Sequence, residues 1–189
     1  MLPDELKDDF ELVENFLLED FSFNLLEKLK NNTKWEQREI KIFNKIYLQP
    51  RLIKWYGDFD YKYSNQLFKK DSFPDFLLEL KERIQKYSNS KFNSVLINYY
   101  RDGNDSMGKH QDNEKELGIN PVIASLTLGE SRNFLIENKL TKKKFNIILN
   151  NGSLLIMKNY SQKLYYHSLP KSSKIKKERI NLTFRYIEV

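Results

Sequence analysis

Two histidines and one aspartate are the side chains of this chain best suited to hold a metal ion. His110 and Asp112 form a His-x-Asp pattern, and His167 is the only other histidine of the 189-residue sequence. Two imidazoles and one carboxylate on one face of an octahedron are typical of mononuclear non-haem Fe(II) oxygenases, and they leave positions open for a co-substrate and O2. We therefore predict that these three residues bind Fe(II) and form the catalytic centre. A His-x-Asp pair is common by chance, so other features must support it.

A polar row near the end of the chain predicts a site for an anion. Polar and apolar residues alternate over Arg179–Arg185, and a strand points alternate side chains to opposite faces. If the polar face lies inside a double sheet, its arginines need an anionic partner, and a guanidinium suits a carboxylate. A small dicarboxylate such as 2-oxoglutarate is the natural candidate. The strand spans roughly 20 Å, so the individual roles of its two arginines stay open.

The predicted co-substrate residues lie on two strands. The row on the last strand is joined by two polar residues that share one face of an earlier strand. Together they are Arg179, Asn181, Thr183, Arg185, Asn98 and Tyr100. The apolar residues predicted to pack on the other face of the last strand are Ile180, Leu182, Phe184 and Tyr186.

Composition narrows the class of protein. Lys and Arg total 32 against 26 Asp and Glu, and the net charge of +6 favours a polyanionic partner, although a lysine-rich proteome explains it equally well. The absence of cysteine excludes disulfides, zinc ribbons and thiol nucleophiles. The acidic N-terminus has no signal pattern, and no apolar run approaches the roughly 20 residues of a membrane helix. We expect a soluble, intracellular monomer of the cytoplasm or nucleus, without a membrane partner.

Two lysine-rich stretches stand apart from the rest of the chain. One is the run Lys142 to Lys144, and the other contains Lys171, Lys174, Lys176 and Lys177. Such runs are most often solvated loops. The functional alternative is phosphate contact beside the active site.

The order of elements predicts an α+β, mainly β fold. Apolar residues at helical spacing predict a helix over residues 10–31, with Phe21, Leu25, Leu26 and Leu29 on one stripe, and a second over residues 72–87. Short β-branched or aromatic runs predict strands at residues 93–100, 122–128, 133–138, 145–149, 154–157 and 180–187. Helices followed by strands favour an antiparallel double sheet, and ligands on different strands suit a jelly roll (double-stranded β-helix) core with N-terminal flanking helices.

The motifs resemble those of the AlkB family of Fe(II)/2-oxoglutarate-dependent dioxygenases, most closely the animal homologues that repair DNA and RNA. The resemblance covers about residues 35 to 187. Its motifs occur in family order and spacing, and they are Asn98-x-Tyr100, His110-x-Asp112, Ile123–Gly129, residues 152–157, His167 and Arg179–Arg185.

The resemblance implies oxidative demethylation of N-alkylated bases, such as 1-methyladenine and 3-methylcytosine, in DNA or RNA. O2 and 2-oxoglutarate would be converted to succinate and CO2, and the methyl group would leave as formaldehyde. The length of the chain predicts a single domain over residues 1–189, with a helical and nucleotide-recognition region at about 1–90 and a jelly-roll catalytic core at 91–189. The partner would be alkylated nucleic acid with a flipped base.

Eight residues match family positions at the substrate. Trp35, Tyr61 and Tyr63 match positions near the damaged base, where aromatic rings stack on a flipped nucleobase. Phe43 has the spacing of a finger residue that fills a gap in a duplex, although a core Phe is about equally consistent with it. The complete set is Trp35, Phe43, Arg51, Tyr61, Tyr63, Ser64, Asn113 and Arg132.

One departure from the family leaves the base preference open. Close relatives often carry a second acid directly after the metal aspartate, where this chain has Asn113. An amide still hydrogen-bonds a base edge, but it carries no charge to attract a cationic ring.

Two rival functions are open. An oxygenase of the same chemistry would act on a protein or a small molecule, although the aromatic pair Tyr61 and Tyr63 and the positive charge argue against it. The other is a non-catalytic nucleic-acid-binding module. The complete set of metal ligands and arginines argues against it, because buried charged groups without a partner destabilise a protein.

Overall fold

Two antiparallel sheets face each other and carry the predicted metal and co-substrate residues between them. The structure is a computed structural model that describes residues 1–42, 45–63 and 66–188. Its strands are β1 (Phe10–Val13), β2 (Glu39–Ile42), β3 (Lys45–Leu48), β4 (Leu52–Gly57), β5 (Tyr61–Tyr63), β6 (Gln66–Phe68), β7 (Ser94–Tyr100), β8 (Met107–His110), β9 (Ile123–Gly129), β10 (Arg132–Asn138), β11 (Lys144–Leu149), β12 (Leu154–Met157), β13 (Tyr165–Leu169) and β14 (Arg179–Arg185). Its α-helices are α1 (Glu19–Asn32), α2 (Asp75–Ser88) and α3 (Ser161–Leu164).

The sheet order confirms the predicted double sheet. The larger sheet has six strands in the order β1-β12-β9-β14-β7-β4, and the smaller has four in the order β11-β10-β13-β8. Two further hairpins, β2-β3 and β5-β6, form small sheets of their own. Because β14 lies between β9 and β7, its side chains are central in the larger sheet, which is where a buried ligand can be surrounded.

The long helices cover the outer face of the larger sheet. Leu26 and Leu29 of α1 and Leu77 of α2 belong to the same buried cluster as Ile97 and Leu182 of the sheet. Helix α2 has clear end signals: Pro74 directly precedes it, and Asn89 ends it in the left-handed conformation at φ 49°. The apolar stripes of both helices are therefore core packing. No helix in the described part of the chain is long and apolar enough to span a membrane.

The prediction for the first helix was wrong at its start. Residues 10–13 form β1, which pairs with β12, and α1 begins only at Glu19. A four-residue edge strand is too short to show a period in sequence, and its pairing partner lies far along the chain. Phe21 is also misplaced, because its side chain is 54% exposed. Ser22 takes the buried place in the first turn of α1 and donates a hydrogen bond to the carbonyl of Leu18 at 2.9 Å.

All six predicted strands agree with the structure to within two residues at each end. The turn predicted at residues 150–152 joins β11 to β12, and Gly152 has a positive φ of +74° that favours glycine. Strands β1 to β6 and the strands β8 and β13 were not predicted. The region at 1–90 therefore contains strands as well as the two long helices, and we expected only the helices.

The alternation along β14 orients its side chains as predicted. Ile180, Leu182 and Phe184 are fully buried under the helices. Tyr186 was predicted to join them, but β14 ends at Arg185 and the Tyr186 side chain is 46% exposed. Alternation continues only as far as the strand does, which is why the last position differs.

Candidate active site

The two histidines are direct neighbours across a pair of strands. His110 ends β8 and is in register with His167 on β13, and their ring centroids lie 4.3 Å apart. Phe134 stacks on His167 at 5.4 Å. The Nδ1 atom of His110 lies 2.8 Å from the carbonyl oxygen of Gly108, and a carbonyl only accepts. Nδ1 therefore carries the proton, and Nε2 keeps its lone pair for a metal.

Asp112 completes a three-residue cluster. Its Oδ1 atom is 3.8 Å from His110 Nε2, and one ligand atom from each of His110, Asp112 and His167 lies within 4.8 Å of the others. Oδ1 is buried and has no hydrogen-bond partner among the described residues. A buried carboxylate oxygen without a partner is costly unless a cation binds it. The residues present therefore fit a mononuclear Fe(II) ion.

The second oxygen of Asp112 is held by an arginine. Arg185 donates from Nε at 3.1 Å and from Nη2 at 2.7 Å to Oδ2, and both side chains are buried. The Asp112 backbone N–H donates to Gln162 Oε1 at 3.0 Å. Such contacts orient a metal-binding carboxylate. Arg185 therefore lies at the metal end of the site, and its predicted contact with 2-oxoglutarate stays a prediction.

The protonation states of the cluster suit a cation. Burial lowers the pKa of His167 to about 3 and also lowers the pKa of His110, so both imidazoles are neutral near pH 7. Burial acts to raise the pKa of Asp112, but the charge of Arg185, the two neighbouring histidines and the hydrogen bond from Arg185 together outweigh it, and the pKa is about 2. Neutral imidazoles and an ionised carboxylate are the forms that bind metal.

Arg179 occupies the opposite end of β14. It is 2% exposed, its Nη2 donates to Thr127 Oγ1 at 2.9 Å, and its guanidinium carbon lies 5.4 Å from the Tyr100 ring centre. Its Nε atom is buried without a hydrogen-bond partner among the residues described. Burial lowers the pKa of Arg179 to about 10, so it remains charged at neutral pH. A buried cation with a spare donor suits a carboxylate.

A connected polar surface joins the two ends of β14. Asn181 Nδ2 donates to Ser125 Oγ at 2.8 Å, and Asn181 Oδ1 accepts from Thr183 Oγ1 at 2.9 Å. Asn98 Oδ1 accepts from Arg51 Nε at 2.8 Å. One cavity between the sheets contains both predicted residue sets, lined by Asn98, Tyr100, His110, Asp112, His167, Arg179, Asn181, Thr183 and Arg185.

Sequence reasoning missed several supporting residues of this cavity. Ser125 and Thr127 lie on β9 beside β14, and Ser125 lines the cavity. The polar–apolar alternation within Ile123–Gly129 is a signal that could have found both. Gln162 and Gly108, which fix Asp112 and His110, carry no comparable signal, because their contacts depend on the tertiary fold.

Two substrate predictions do not agree with the structure. The Trp35 ring packs against Tyr99 with centroids 5.1 Å apart and lies against the cluster under the helices, whereas Tyr100 faces the cavity. Adjacent strand residues point to opposite faces, so the larger sheet separates Trp35 from the metal cluster. Arg132 is 2% exposed and donates to the carbonyls of Asp102, Asp105 and Pro170 at 2.8–3.1 Å. Its burial does not support a position facing the substrate.

The other substrate residues stay predictions. Tyr61 and Tyr63 form the ends of β5, and Asn113 is exposed directly after Asp112. Arg51 is buried beside Asn98. Phe43 and Ser64 lie outside the described residues.

Gly103 provides a stability test of the loops at this cavity. Its N–H donates to the carbonyl of Ile175 at 3.1 Å, and a Cβ added there would lie 1.8 Å from the Ser172 carbonyl oxygen. We expect Gly103→Ala to lower the free energy of unfolding by about 1–3 kcal/mol, because main chain must move. Denaturant unfolding measures this. Gly108→Ala is the matched control, since a Cβ there meets nothing within 4 Å. Equal stability of the two variants would contradict the close packing at Gly103.

Comparisons with known proteins agree with this geometry. The family model described as the 2OG-Fe(II) oxygenase superfamily matches residues 9–185. The chain is 37% identical over 173 residues to the rat (Rattus norvegicus) alpha-ketoglutarate-dependent dioxygenase alkB homolog 3, a match that covers 86% of this chain and 59% of that protein. It is 34% identical over 158 residues to the Homo sapiens DNA oxidative demethylase ALKBH2, covering 78% of this chain and 60% of that protein. The chain thus spans about three fifths of these relatives.

A solved structure supports the fold. The structure of OsALKBH1 superposes with a TM-score of 0.68 at 17% identity, covering 94% of this chain and 97% of that chain. At this identity the likeness concerns the fold alone.

Proposed function

Because this chain belongs to the AlkB family within the 2OG-Fe(II) oxygenase superfamily, we propose that it is a dioxygenase that oxidatively demethylates N-alkylated bases in DNA or RNA, with Fe(II), 2-oxoglutarate and O2. The observation that carries the proposal is a pair of polar atoms in one cavity that have no hydrogen-bond partner within residues 1–42, 45–63 and 66–188. They are the buried Asp112 Oδ1, which suits a cation, and the buried Arg179 Nε, which suits an anion. A metal and a carboxylate co-substrate would satisfy both.

The three metal-binding residues and the two arginines of β14 have separate tasks in this proposal. His110, Asp112 and His167 would hold Fe(II), which with 2-oxoglutarate supplies the oxidation of an N-methyl group by O2, yielding succinate, CO2 and formaldehyde. Arg185 keeps Asp112 ionised and oriented through two donors on one oxygen. Arg179 would bind the distal carboxylate of 2-oxoglutarate, because it lies at the end of β14 away from Arg185.

The cavity also limits access of water. Its lining includes Leu96, Phe134, Met157 and Leu169 beside the polar residues. An apolar wall around a metal site excludes solvent and strengthens the electrostatic contacts within it. The protein thereby holds the reactants and keeps water away, and no side-chain general base is needed.

Nucleic acid is the proposed substrate. The names of the relatives and the net charge of +6 support it. The loop with Lys171, Lys174, Lys176 and Lys177 leads directly into Arg179, and these lysines are exposed. Its Ser172 N–H donates to the Gly103 carbonyl at 2.8 Å, which fixes the loop to the segment that follows β7. We propose that this loop contacts phosphates while a flipped base enters the cavity.

Succinate formation tests the proposed function. Purified protein with Fe(II), 2-oxoglutarate, ascorbate and air is given oligonucleotides with or without 1-methyladenine. We expect succinate only with metal, and faster with the methylated strand. Succinate without stimulation by any methylated oligonucleotide would favour a protein or small-molecule substrate. Oligonucleotide binding that is independent of metal, without succinate, would indicate a non-catalytic module.

The lysine loop gives a separate prediction. We expect Lys176→Ala with Lys177→Ala to weaken binding to any oligonucleotide and to reduce the slope of log K against log salt by about 1–2, because each phosphate contact releases counterions. Turnover of 2-oxoglutarate without nucleic acid should not change. Fluorescence anisotropy over a salt series measures the slope. Lys86→Ala with Lys91→Ala is the control, because both lysines are exposed and lie at or just after the end of α2. An unchanged slope in the double variant would contradict phosphate contact by this loop.

A further inference from the structure

Glu178 is a partly buried acid that the proposed chemistry does not use. It stands directly before Arg179, and its two carboxylate oxygens have different partners. Oε1 accepts from Lys30 Nζ of α1 at 2.7 Å, and Oε2 accepts from the Tyr99 hydroxyl of β7 at 2.6 Å. The carboxylate therefore joins a helix and a neighbouring strand to the first residue of β14.

The contacts around Glu178 close into a ring. The Trp35 ring packs at a tilt against Tyr99 with centroids 5.1 Å apart, and Trp35 Nε1 donates to the carbonyl of Lys30 at 3.2 Å. Lys30 in turn binds Glu178. A closed ring of contacts resists displacement of any one member more than a single ion pair does.

The backbone of Glu178 is fixed as well. Its carbonyl oxygen accepts from the Glu130 N–H at 2.9 Å. Gly129 approaches so closely that a Cβ there would lie 2.6 Å from the same carbonyl oxygen, and its φ of +85° also favours glycine. The main chain at the start of β14 thus has little room to shift.

Strand pairing links the fixed position of Glu178 to residues on the other face of the larger sheet. Arg179 pairs with Tyr100, and Ile180 pairs with Tyr99. Because consecutive residues of a strand alternate, Glu178 and Tyr99 lie on the helix side while Arg179 and Tyr100 face the cavity. Holding the first pair therefore sets the position of the second pair, where the Arg179 guanidinium lies 5.4 Å from the Tyr100 ring.

We propose that Glu178, held by Lys30 and Tyr99, is a positioning residue that aims Arg179 at the distal carboxylate of the co-substrate. This inference rests on the proposed function, in which Arg179 binds that carboxylate. Through Lys30 the affinity for 2-oxoglutarate depends on α1, on the opposite side of the larger sheet. The residue acts through Arg179 and touches no reacting atom.

The test uses Glu178→Gln and Tyr99→Phe. Glu178→Gln removes the charge that binds Lys30, and Tyr99→Phe removes only the hydroxyl. Calorimetry without O2 measures binding of 2-oxoglutarate, and of 2-oxobutanoate, which lacks the distal carboxylate, to Mn(II)-loaded protein. We expect each variant to weaken 2-oxoglutarate binding roughly 2- to 30-fold and to leave 2-oxobutanoate binding unchanged. In turnover, KM for 2-oxoglutarate should rise more than kcat falls.

The chain offers a matched control. Glu11 accepts from the Tyr87 hydroxyl of α2 at 2.7 Å and from Lys158 Nζ at 3.3 Å, so it has the same types of partner as Glu178, but it lies on β1 at the edge of the larger sheet. Glu11→Gln and Tyr87→Phe should change neither affinity. Thermal melting of every variant shows that it is folded.

The outcomes separate the inference from the proposed function. Unchanged 2-oxoglutarate affinity in both Glu178→Gln and Tyr99→Phe would overturn the positioning role. An equal loss for both ligands would overturn it too, since that indicates general loosening of the sheet. If the unaltered protein binds no 2-oxoglutarate, the proposed function fails first, and the positioning role fails with it.

Discussion

Asp112→Ala will abolish co-substrate turnover and weaken metal binding. Loss of a residue that only orients a metal ligand typically weakens metal binding roughly 10- to 100-fold, and we expect loss of the ligand itself to have a larger effect. In the part of the chain that the structure describes, Asp112 Oδ1 is buried without a hydrogen-bond partner beside the two histidines, so the alanine variant lacks the carboxylate ligand. Metal affinity is measured by Mn(II) titration followed by electron paramagnetic resonance.

The same change will also lower stability. Arg185 is buried and binds Asp112 Oδ2 through two donors, so the variant leaves a buried charge without this partner. We expect the free energy of unfolding to fall by about 3–5 kcal/mol. Asp112→Asn keeps an oxygen for Arg185 and should lose metal affinity with a smaller loss of stability.

A second buried aspartate is the control for these effects. Asp105 accepts from Arg101 Nε at 2.7 Å and from Nη2 at 2.8 Å, outside the metal cluster. Asp105→Ala should keep metal affinity, and it should lose less stability because Arg101 is exposed. An Asp112→Ala protein that binds Mn(II) as tightly as the unaltered protein would contradict the assignment of the ligands.

Arg179→Met will remove most of the affinity for 2-oxoglutarate without destabilising the ligand-free protein. Truncating one partner of a buried charge pair costs about 2–5 kcal/mol, so binding should weaken roughly 30- to 5,000-fold. Burial lowers the pKa of Arg179, which shows that this environment disfavours its charge, and Nε has no partner among the described residues. An apolar side chain of similar length should therefore be tolerated or stabilising.

Calorimetry and thermal unfolding measure these two effects of Arg179→Met. The matched control is Arg83→Met, because Arg83 also stacks on an aromatic ring, Phe16 at 4.9 Å, but lies on α2. It should retain 2-oxoglutarate binding. A ligand-free Arg179→Met protein that melts well below the unaltered protein would show that Arg179 stabilises the fold. That result would contradict our view that the buried Arg179 lowers stability and is retained because it binds a ligand.

The orientation of the β14 side chains and the identity of the histidine ligands were predictable from the sequence, because both follow from local residue patterns. The strict alternation in Arg179–Arg185 decides which face of β14 is polar, because strand geometry alone sends alternate residues to opposite faces. Because the sequence contains only two histidines, His110 and His167 can be identified as the imidazole ligands without knowing which strands they lie on. Both predictions depend on residue type and spacing alone.

Features that depend on distant pairing were beyond the sequence. Met107–His110 contains Gly108 and Lys109 and shows no strand pattern, yet it is a strand because it pairs with β13. The contact of Arg185 with Asp112 was missed because nothing in the sequence says that these two residues lie side by side. Trp35 was placed at the base because an aromatic residue has the same appearance in a core as in a pocket, and only its contact with Tyr99 shows which it is.

The most direct test of the central claim is the intact mass of a short single strand with one 1-methyladenine, after incubation with protein, Fe(II), 2-oxoglutarate, ascorbate and air. We predict that the strand loses the mass of one CH2 group, and that a chelator, omission of 2-oxoglutarate, or Asp112→Ala prevents the loss. An unchanged mass for this strand and for strands with other N-methylated bases, while succinate accumulates, would contradict a nucleic acid demethylase.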